Sequence, residues 1–444
     1  MEELQRITVE PLKTWKKAKE LRQKIYENYV KTKETGGLRI AGMTIHPAAL
    51  IQAFGRDVVF LGSEPYCAGV ANWTEFAIQC QEACEKRGVA RDLCGYMKNY
   101  WGGILIDKFM FPNHKIVPWP KPDLFFNDHF CCSHGKWYQY AAELEGGVPH
   151  FGIDISYRQG RNLTEDSIDY VVTQATDGIE WIEKHTGRKF DDELFIEYAM
   201  NEFNTNAFWA QAYLLNQAVP APMEEKSFYS YFFFNMTSPQ LKEVTDLFRE
   251  LRDELQDRVN RGIGAIGMEK LRILTDGPPT WAMLNILRFA EREYGAVIVA
   301  SFYTSHWGAS WDMDESGNFV APKPPKKEDF ASGSREDRLR KYFRWKSRRS
   351  SSAAPFIDNP DKLDMTVKMA KQWKCGAAFL HLNRGCEGVS LGIMENKYLL
   401  QRAGIPVLTY EGNMGDARDF DVSGTITKIR LFFENIGLKK LSKN

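Results

Sequence analysis

The sequence predicts an α/β fold with two parallel-sheet regions related by a weak internal repeat, separated by a helical insert and preceded by a helical N-terminal segment. Three observations carry this reading. Short apolar runs ("DVVFLG", "PDLFF", "AVIVASFY", "GAAFLHL") alternate with stretches of helical periodicity. Two of those runs continue in the same way, as strand, cysteine-bearing polar turn, helix, glycine and next strand. The step from cysteine to glycine is 16 residues in one half (Cys131 to Gly147) and 18 in the other (Cys386 to Gly404).

Residues 1–37 read as a helical segment, with Leu4, Ile7, Leu12, Trp15, Ala18 and Leu21 loosely at helical spacing. Residues 38–160 form the first α/β domain: "HPAALIQAFGRDVVFLG" gives helix, tight turn and strand, and "KPDLFFND" a further strand. "KWYQYAAELEGG" gives a helix closed by glycines, and "VPHFGIDIS" the next strand. Residues 161–260 are helical. Asn162 with Glu165 three residues on resembles a capping box before "IDYVVTQATDGIEWIEKH", and two further helices follow in "DDELFIEYAMNEF…" and "SPQLKEVTDLFRELRDELQDRV".

Residues 261–444 form the second α/β domain. "RILTDG" and "AVIVASFY" flank one helix, and "GAAFLHL" and "IPVLTYEG" flank another. A basic, proline-rich loop is expected at 308–355, with a helix-like end in "SREDRLRKYFRWKSRRSS". In parallel sheets of this kind ligands bind beyond the carboxyl ends of the strands, where both cysteine turns fall.

Composition narrows the function. Fifty-eight basic residues balance 58 acidic ones, so no net field draws the chain to nucleic acid. No run approaches the ~18 apolar residues of a membrane span, and the charged start lacks the apolar core of a secretory signal. A cytoplasmic protein is expected. No Walker-type G-x-x-x-x-G-K-S/T occurs and "RGIGAIG" (Arg261–Gly267) does not open a helix after a strand, so ATP binding by this chain is not expected.

The chemistry centres on the eight cysteines. Cys131 and Cys386 each follow a strand and precede a helix, where amide N–H groups stabilise a thiolate; Cys94 stands in another turn or helix start. On spacing alone these admit a metal or cluster site, a zinc site, or inert buried thiols, since the local CxxC spacing of ferredoxins is absent. Cys80 and Cys84, at i and i+4, read as core, as does Cys375. Cys67 follows a strand and is a possible ligand or lining residue. Adjacent side chains diverge, so only one of Cys131 and Cys132 faces a given site. On the same edge stand His46, Glu64, Asn127, His129, His134 and Asn383, each individually at home in a solvated turn. Among them His46 and Glu64 are the candidates for acid/base work. Arg335, Arg338, Lys341 and Arg344 are either a solvated face, a dock for an acidic partner, or a clamp for the phosphates of coenzyme A.

The blocks "HPAALIQAFG", "DLCGYMKNYWGG", "PDLFFNDHFCCSHGKWY" and "HLNRGCEGVSLGIMENKYLLQRAGIPVLTYEGNMGDARDF" together resemble the 2-hydroxyacyl-CoA dehydratase and benzoyl-CoA reductase family, nearest its ATP-dependent benzoyl-CoA reductase members. The resemblance implies two flavodoxin-like domains with a [4Fe-4S] cluster between them. It implies ligands Cys94, Cys131 and Cys386, with Lys136 in the "KWY" stretch selecting Cys131 over Cys132, and Cys67 and Cys132 as possible further ligands. "MTIHPAAL" departs from the family's usual acidic pattern, which leaves His46 a candidate only. The implied reaction is the one-electron-step reductive dearomatisation of benzoyl-CoA to a cyclic diene, with radical dehydration of a 2-hydroxyacyl-CoA, or a non-catalytic relay or scaffold role, as the alternatives. The implied partners are a homologous C subunit, the ATP-binding A and D activator subunits with a bridging [4Fe-4S] cluster, and ferredoxin as upstream donor.

Overall fold

The computed structural model describes residues 6–43, 48–129, 131–155, 164–281, 284–308, 310–349, 360–390 and 392–442. Its strands are β1 (Leu38–Gly42), β2 (Val58–Gly62), β3 (Phe109–Met110), β4 (Ile116–Val117), β5 (Leu124–His129), β6 (His150–Asp154), β7 (Leu271–Asp276), β8 (Ala296–Ser301), β9 (Asp312–Met313), β10 (Phe319–Val320), β11 (Ala377–Asn383) and β12 (Val407–Gly412). Two four-stranded parallel sheets result, ordered β2-β1-β5-β6 and β8-β7-β11-β12. Counted within each half, both orders are second-first-third-fourth, so the repeat read from the sequence is a repeat of topology and a flavodoxin-like one. Antiparallel ribbons β3-β4 and β9-β10 stand apart from the sheets.

The period of two along each strand decides what each face meets. Ile40, Phe60, Leu124 and Phe126 point into a core with Val172, Ile179 and Phe203 of the insert helices. Ile273, Ile298, Ala377 and Phe379 point into a core with Ile286, Ile429 and Phe433. The alternate residues Ala41, Leu61 and Phe125 of the first sheet, and Leu274, Val297, Ala378 and Leu380 of the second, belong to one shared central core. The two sheets are thereby joined through a single apolar layer.

Several elements differ from the sequence expectation for identifiable reasons. The N-terminal helix is Trp15–Lys31 rather than the whole segment. Pro11 lacks the N–H a helix interior needs, and ahead of it Val9 bridges Gly264 while Ile7 N donates to Gly267 O at 2.9 Å. Asn162 lies outside the described residues; helix Glu165–Thr186 is capped by Thr164, whose hydroxyl accepts from Ser167 N at 3.2 Å. The insert holds a further helix, Glu225–Thr237, in which ten of thirteen residues are buried, so that it carries no amphipathic stripe to read.

Inside the stretch expected as a loop at 308–355 lie ribbon β9-β10 and helices Lys327–Ala331 and Arg335–Arg349. Phe330, Leu339, Tyr342 and Phe343 of these helices enter the outer core of the first sheet, not the second. Their anchor is Glu202, fully buried on helix Asp192–Leu215. It accepts from Tyr342 Oη at 2.7 Å and from Lys346 Nζ. Among the described residues no helix is long and apolar enough to cross a membrane.

Breaking one side of a buried ion pair strands the other charge away from water. Lys346→Met is therefore expected to lower stability in urea denaturation by about 3–5 kcal/mol. Arg344→Ala, which opens only the exposed pair with Glu165, is expected to leave the midpoint close to wild type.

Candidate functional site

Three cysteines stand at three helix N-termini. Cys94 is the N-cap of Gly95–Leu105 and Cys131 of Cys132–Leu144, while Cys386 directly precedes Glu387–Ser390. In each case the cysteine carbonyl accepts the first helical bond: from Lys98 N at 3.1 Å, Gly135 N at 3.1 Å and Ser390 N at 3.2 Å. Cys131 and Cys386 follow the third strands β5 and β11, so they are the same position in the two halves. The Cys131 Sγ also accepts from His134 N at 3.5 Å.

Backbone close to backbone holds the turns together. Gly385 has φ +73°, and a Cβ there would lie 2.7 Å from Leu93 O and 2.8 Å from Asp92 O. Only glycine lets the Cys386 turn sit this tightly on the residues before Cys94. A Cβ on Gly95 would meet Gly415 Cα at 2.8 Å. Gln81 Nε2 clamps that contact by donating to Gly95 O and Gly415 O, both at 3.0 Å. Asn383, the last residue of β11, accepts from Met414 N at 2.9 Å and fixes the same loop to the Cys386 side.

Burial pushes the Cys94 thiol up to about 11, and the charge on Glu64 adds to the rise. Cys131 is raised well above the ordinary thiol value, first by burial, then by charge on Cys386 and Cys94. These thiols thus feel one another across a shared space. Left alone they stay protonated; a group carrying positive charge that accepts several thiolates removes both penalties, and the cradle fits such a group. Among the described residues no three His, Cys, Asp or Glu side chains close on a single metal ion.

The other cysteines are placed differently. Cys132 is exposed; Cys80, Cys84 and Cys375 are buried. Cys67 is fully buried on helix Ser63–Ala71, and its thiol is raised by burial with Cys94 contributing.

Beside the cysteines lies a buried acid. Glu64 follows β2 by two residues, and Tyr303 follows β8 by two, again equivalent positions in the repeat. Tyr303 Oη donates to Glu64 Oε1 at 3.0 Å, and His134 Nε2 stands 3.5 Å from Glu64 Oε2. Burial lifts Glu64 to about 7, against the hydrogen bond from Tyr303 and with the help of Asp128. Burial lowers His134 to about 3, so it is neutral. Of the remaining edge residues, His129 pairs with Asp154 at 3.0 Å and Asn127 bonds His150 at 2.7 Å. His46 lies outside the described residues.

Glu64 and Tyr303 border a cavity of about 170 Å³ whose walls include Tyr26, Phe111, Phe232, Phe233 and Trp281. Trp281 Nε1 donates to Tyr96 Oη at 2.9 Å, linking the cavity wall to the helix that begins at Cys94. Arg335, Arg338, Lys341 and Arg344 do not line it. Arg335 and Arg338 pair with Asp192 at 2.7 and 2.8 Å, and Arg344 with Glu165 at 2.7 Å. Lys341 donates to the carbonyls of Asp329 and Ser332 at 2.7 and 2.8 Å. The three arginines staple their helix to the insert, and Lys341 ties it to the short helix before it. Sequence reasoning missed Tyr303, Tyr96 and Trp281; extending the repeat one strand further, from Glu64 to its counterpart, would have found Tyr303.

The family model for the D-component of 2-hydroxyglutaryl-CoA dehydratase matches residues 43–436. The chain is similar to the (R)-2-hydroxyisocaproyl-CoA dehydratase alpha subunit of Clostridioides difficile, 26% identical over 411 residues and 91% of each chain. It is similar to the (R)-phenyllactyl-CoA dehydratase alpha subunit of Clostridium sporogenes, 24% identical over 89% of this chain and 88% of that one. It is also similar to the B subunit of benzoyl-CoA reductase from Thauera aromatica, 23% identical over 80% of this chain and 79% of that one.

A carboxyl with a raised folded value ionises first in the unfolded chain, so its burden on stability is absent below pH 4.5 and complete above about 7. In parallel urea titrations across that window, wild type is expected to lose roughly 3 kcal/mol relative to Glu64→Gln. Superimposable profiles for the two proteins would contradict it.

Proposed function

Because the chain belongs to the 2-hydroxyglutaryl-CoA dehydratase D-component family, we propose that it is a catalytic subunit holding a [4Fe-4S] cluster on Cys94, Cys131 and Cys386 and acting on a CoA thioester with an apolar acyl group. The observation that carries the reading is the convergence of three helix-capping thiols beside a buried acid and an aromatic-walled cavity. When bound, the cluster supplies single electrons. The chain's own residues do the rest. The aromatic walls exclude water from the acyl group. Glu64, held by Tyr303 and protonated up to near neutral pH, offers a proton donor or acceptor at the cavity wall.

The favoured reaction is radical dehydration of a 2-hydroxyacyl-CoA, supported by the greater coverage and identity of the two dehydratase subunits. The second reading is reductive dearomatisation of benzoyl-CoA, supported by the aromatic lining, which suits a phenyl ring. In either case a homologous second subunit completes the catalytic module, and separate ATP-binding subunits with their own [4Fe-4S] cluster deliver the electron. The eight free thiols suit a reducing compartment such as the cytoplasm.

Two measurements test this. Iron and acid-labile sulfide, with EPR after reduction, are expected in the anaerobically co-expressed protein and lost in Cys94→Ala, Cys131→Ala and Cys386→Ala. They are expected to persist in Cys132→Ala, whose thiol is exposed. Iron-free wild type would overturn the cluster assignment. Electron counting then separates the reactions: dehydration consumes none per turnover after priming, whereas dearomatisation consumes a pair.

A further inference from the structure

We propose that Arg22, on the N-terminal helix, is a substrate-recognition residue that binds an anionic oxygen of the thioester occupying the cavity beside Glu64. Resting on the acyl-CoA reading above, it adds a specific contact to it.

Three side chains able to carry positive charge line the cavity: Arg22, His114 and Lys226. Lys226 is already neutralised, by Glu291 at 2.7 Å and Glu224 at 3.7 Å. His114 stacks on Trp73, with ring centroids 4.9 Å apart. Among the described residues no ion pair includes Arg22; the acidic groups that act on it are the phenols of Tyr26 and Tyr231. Its guanidinium instead lies over the faces of Phe233 and Phe234, 5.2 and 5.7 Å from the ring centres, and Nη2 donates to the Ser230 carbonyl.

Its Nε is enclosed yet has no hydrogen-bond partner. A buried donor on a cation with no acceptor costs free energy, and the cost is lifted when an anionic oxygen arrives. The aromatic faces hold the guanidinium flat without using its edge donors, so that beside the Nη2 bond to Ser230 the Nε donor remains for a carboxylate or phosphate oxygen. Burial also pulls Arg22 below the ordinary arginine value, though an arginine stays charged at physiological pH.

Two parts of a CoA thioester carry such an oxygen: the phosphates of the carrier, and a carboxylate on the acyl group where there is one. Anaerobically purified holoprotein with its partner subunit is titrated with benzoyl-CoA, free coenzyme A and glutaryl-CoA, comparing wild type, Arg22→Gln and Arg22→Lys. Melting temperature and iron content are measured on each. About a tenfold or greater rise in Kd is expected for Arg22→Gln, with Arg22→Lys recovering part of it. A rise shared by all three ligands assigns the contact to the carrier phosphates; a rise confined to glutaryl-CoA assigns it to an acyl carboxylate and replaces the apolar acyl group of the reading above with an acidic one. Unchanged affinity for every ligand overturns the proposal while leaving the acyl-CoA reading intact. A wild type that binds none of them overturns that reading instead. Should the variants fold poorly, phenylglyoxal labelling of Arg22 in wild type serves: protection by the bound thioester supports the contact, and labelling undiminished at saturation refutes it.

Discussion

The constraint on which the rest depends is the burial of both sheets' inner faces in one core. Phe125 of β5 and Leu380 of β11 belong to the same apolar cluster, so the third strands of the two halves are locked to a common layer. The direction of a parallel strand fixes where the following helix starts, and the repeat therefore delivers Cys131 and Cys386 to matching places. Cys94 joins them from a segment outside the repeat, held by contacts that tolerate no side chain at Gly385, Gly95 or Gly415. Removing apolar area from water thus does more than stabilise the fold; it sets the spacing of three thiols.

The same burial makes the site chemically unusual. Thiols and a carboxyl placed at helix starts would ordinarily ionise with ease, since the helix N-terminus favours negative charge. Here desolvation outweighs the dipole, lifting Cys94 to about 11 and Glu64 to about 7. A site that resists negative charge when empty is one that gains most from a cationic centre, and a proton retained on Glu64 is available to the cavity beside it. Arg22 presents the complementary case on another part of the same cavity, a positive charge with no carboxylate ion pair among the described residues and a buried Nε without a hydrogen-bond acceptor.

Much of this was legible beforehand for a physical reason. Apolar runs bounded by glycine and polar turns identified all eight sheet strands' neighbourhoods except β1, read only as the start of the region, and the repeated strand–cysteine–helix order exposed the shared topology. Reading failed where a pattern had no period to show. Helix Glu225–Thr237 shows no polar stripe because ten of its thirteen residues are buried. The basic helix Arg335–Arg349 reads as a solvated face or phosphate clamp, yet its charges answer Asp192 and Glu165 some 140 to 180 positions earlier, partners that no local window contains.

What the sequence by itself determined is the kind of structure and the kind of chemistry. Strand and helix periods are local properties of the chain, as is the habit of placing a cysteine where a strand gives way to a helix. What only the tertiary structure decided is which side chains meet. Tyr303 reaches Glu64 across 239 positions, Trp281 reaches Tyr96 across 185, and Arg22 comes from the N-terminal helix to a wall it shares with the insert and both α/β regions. Such pairings follow from how whole faces pack, and packing depends on shape summed over the core rather than on any neighbouring residue.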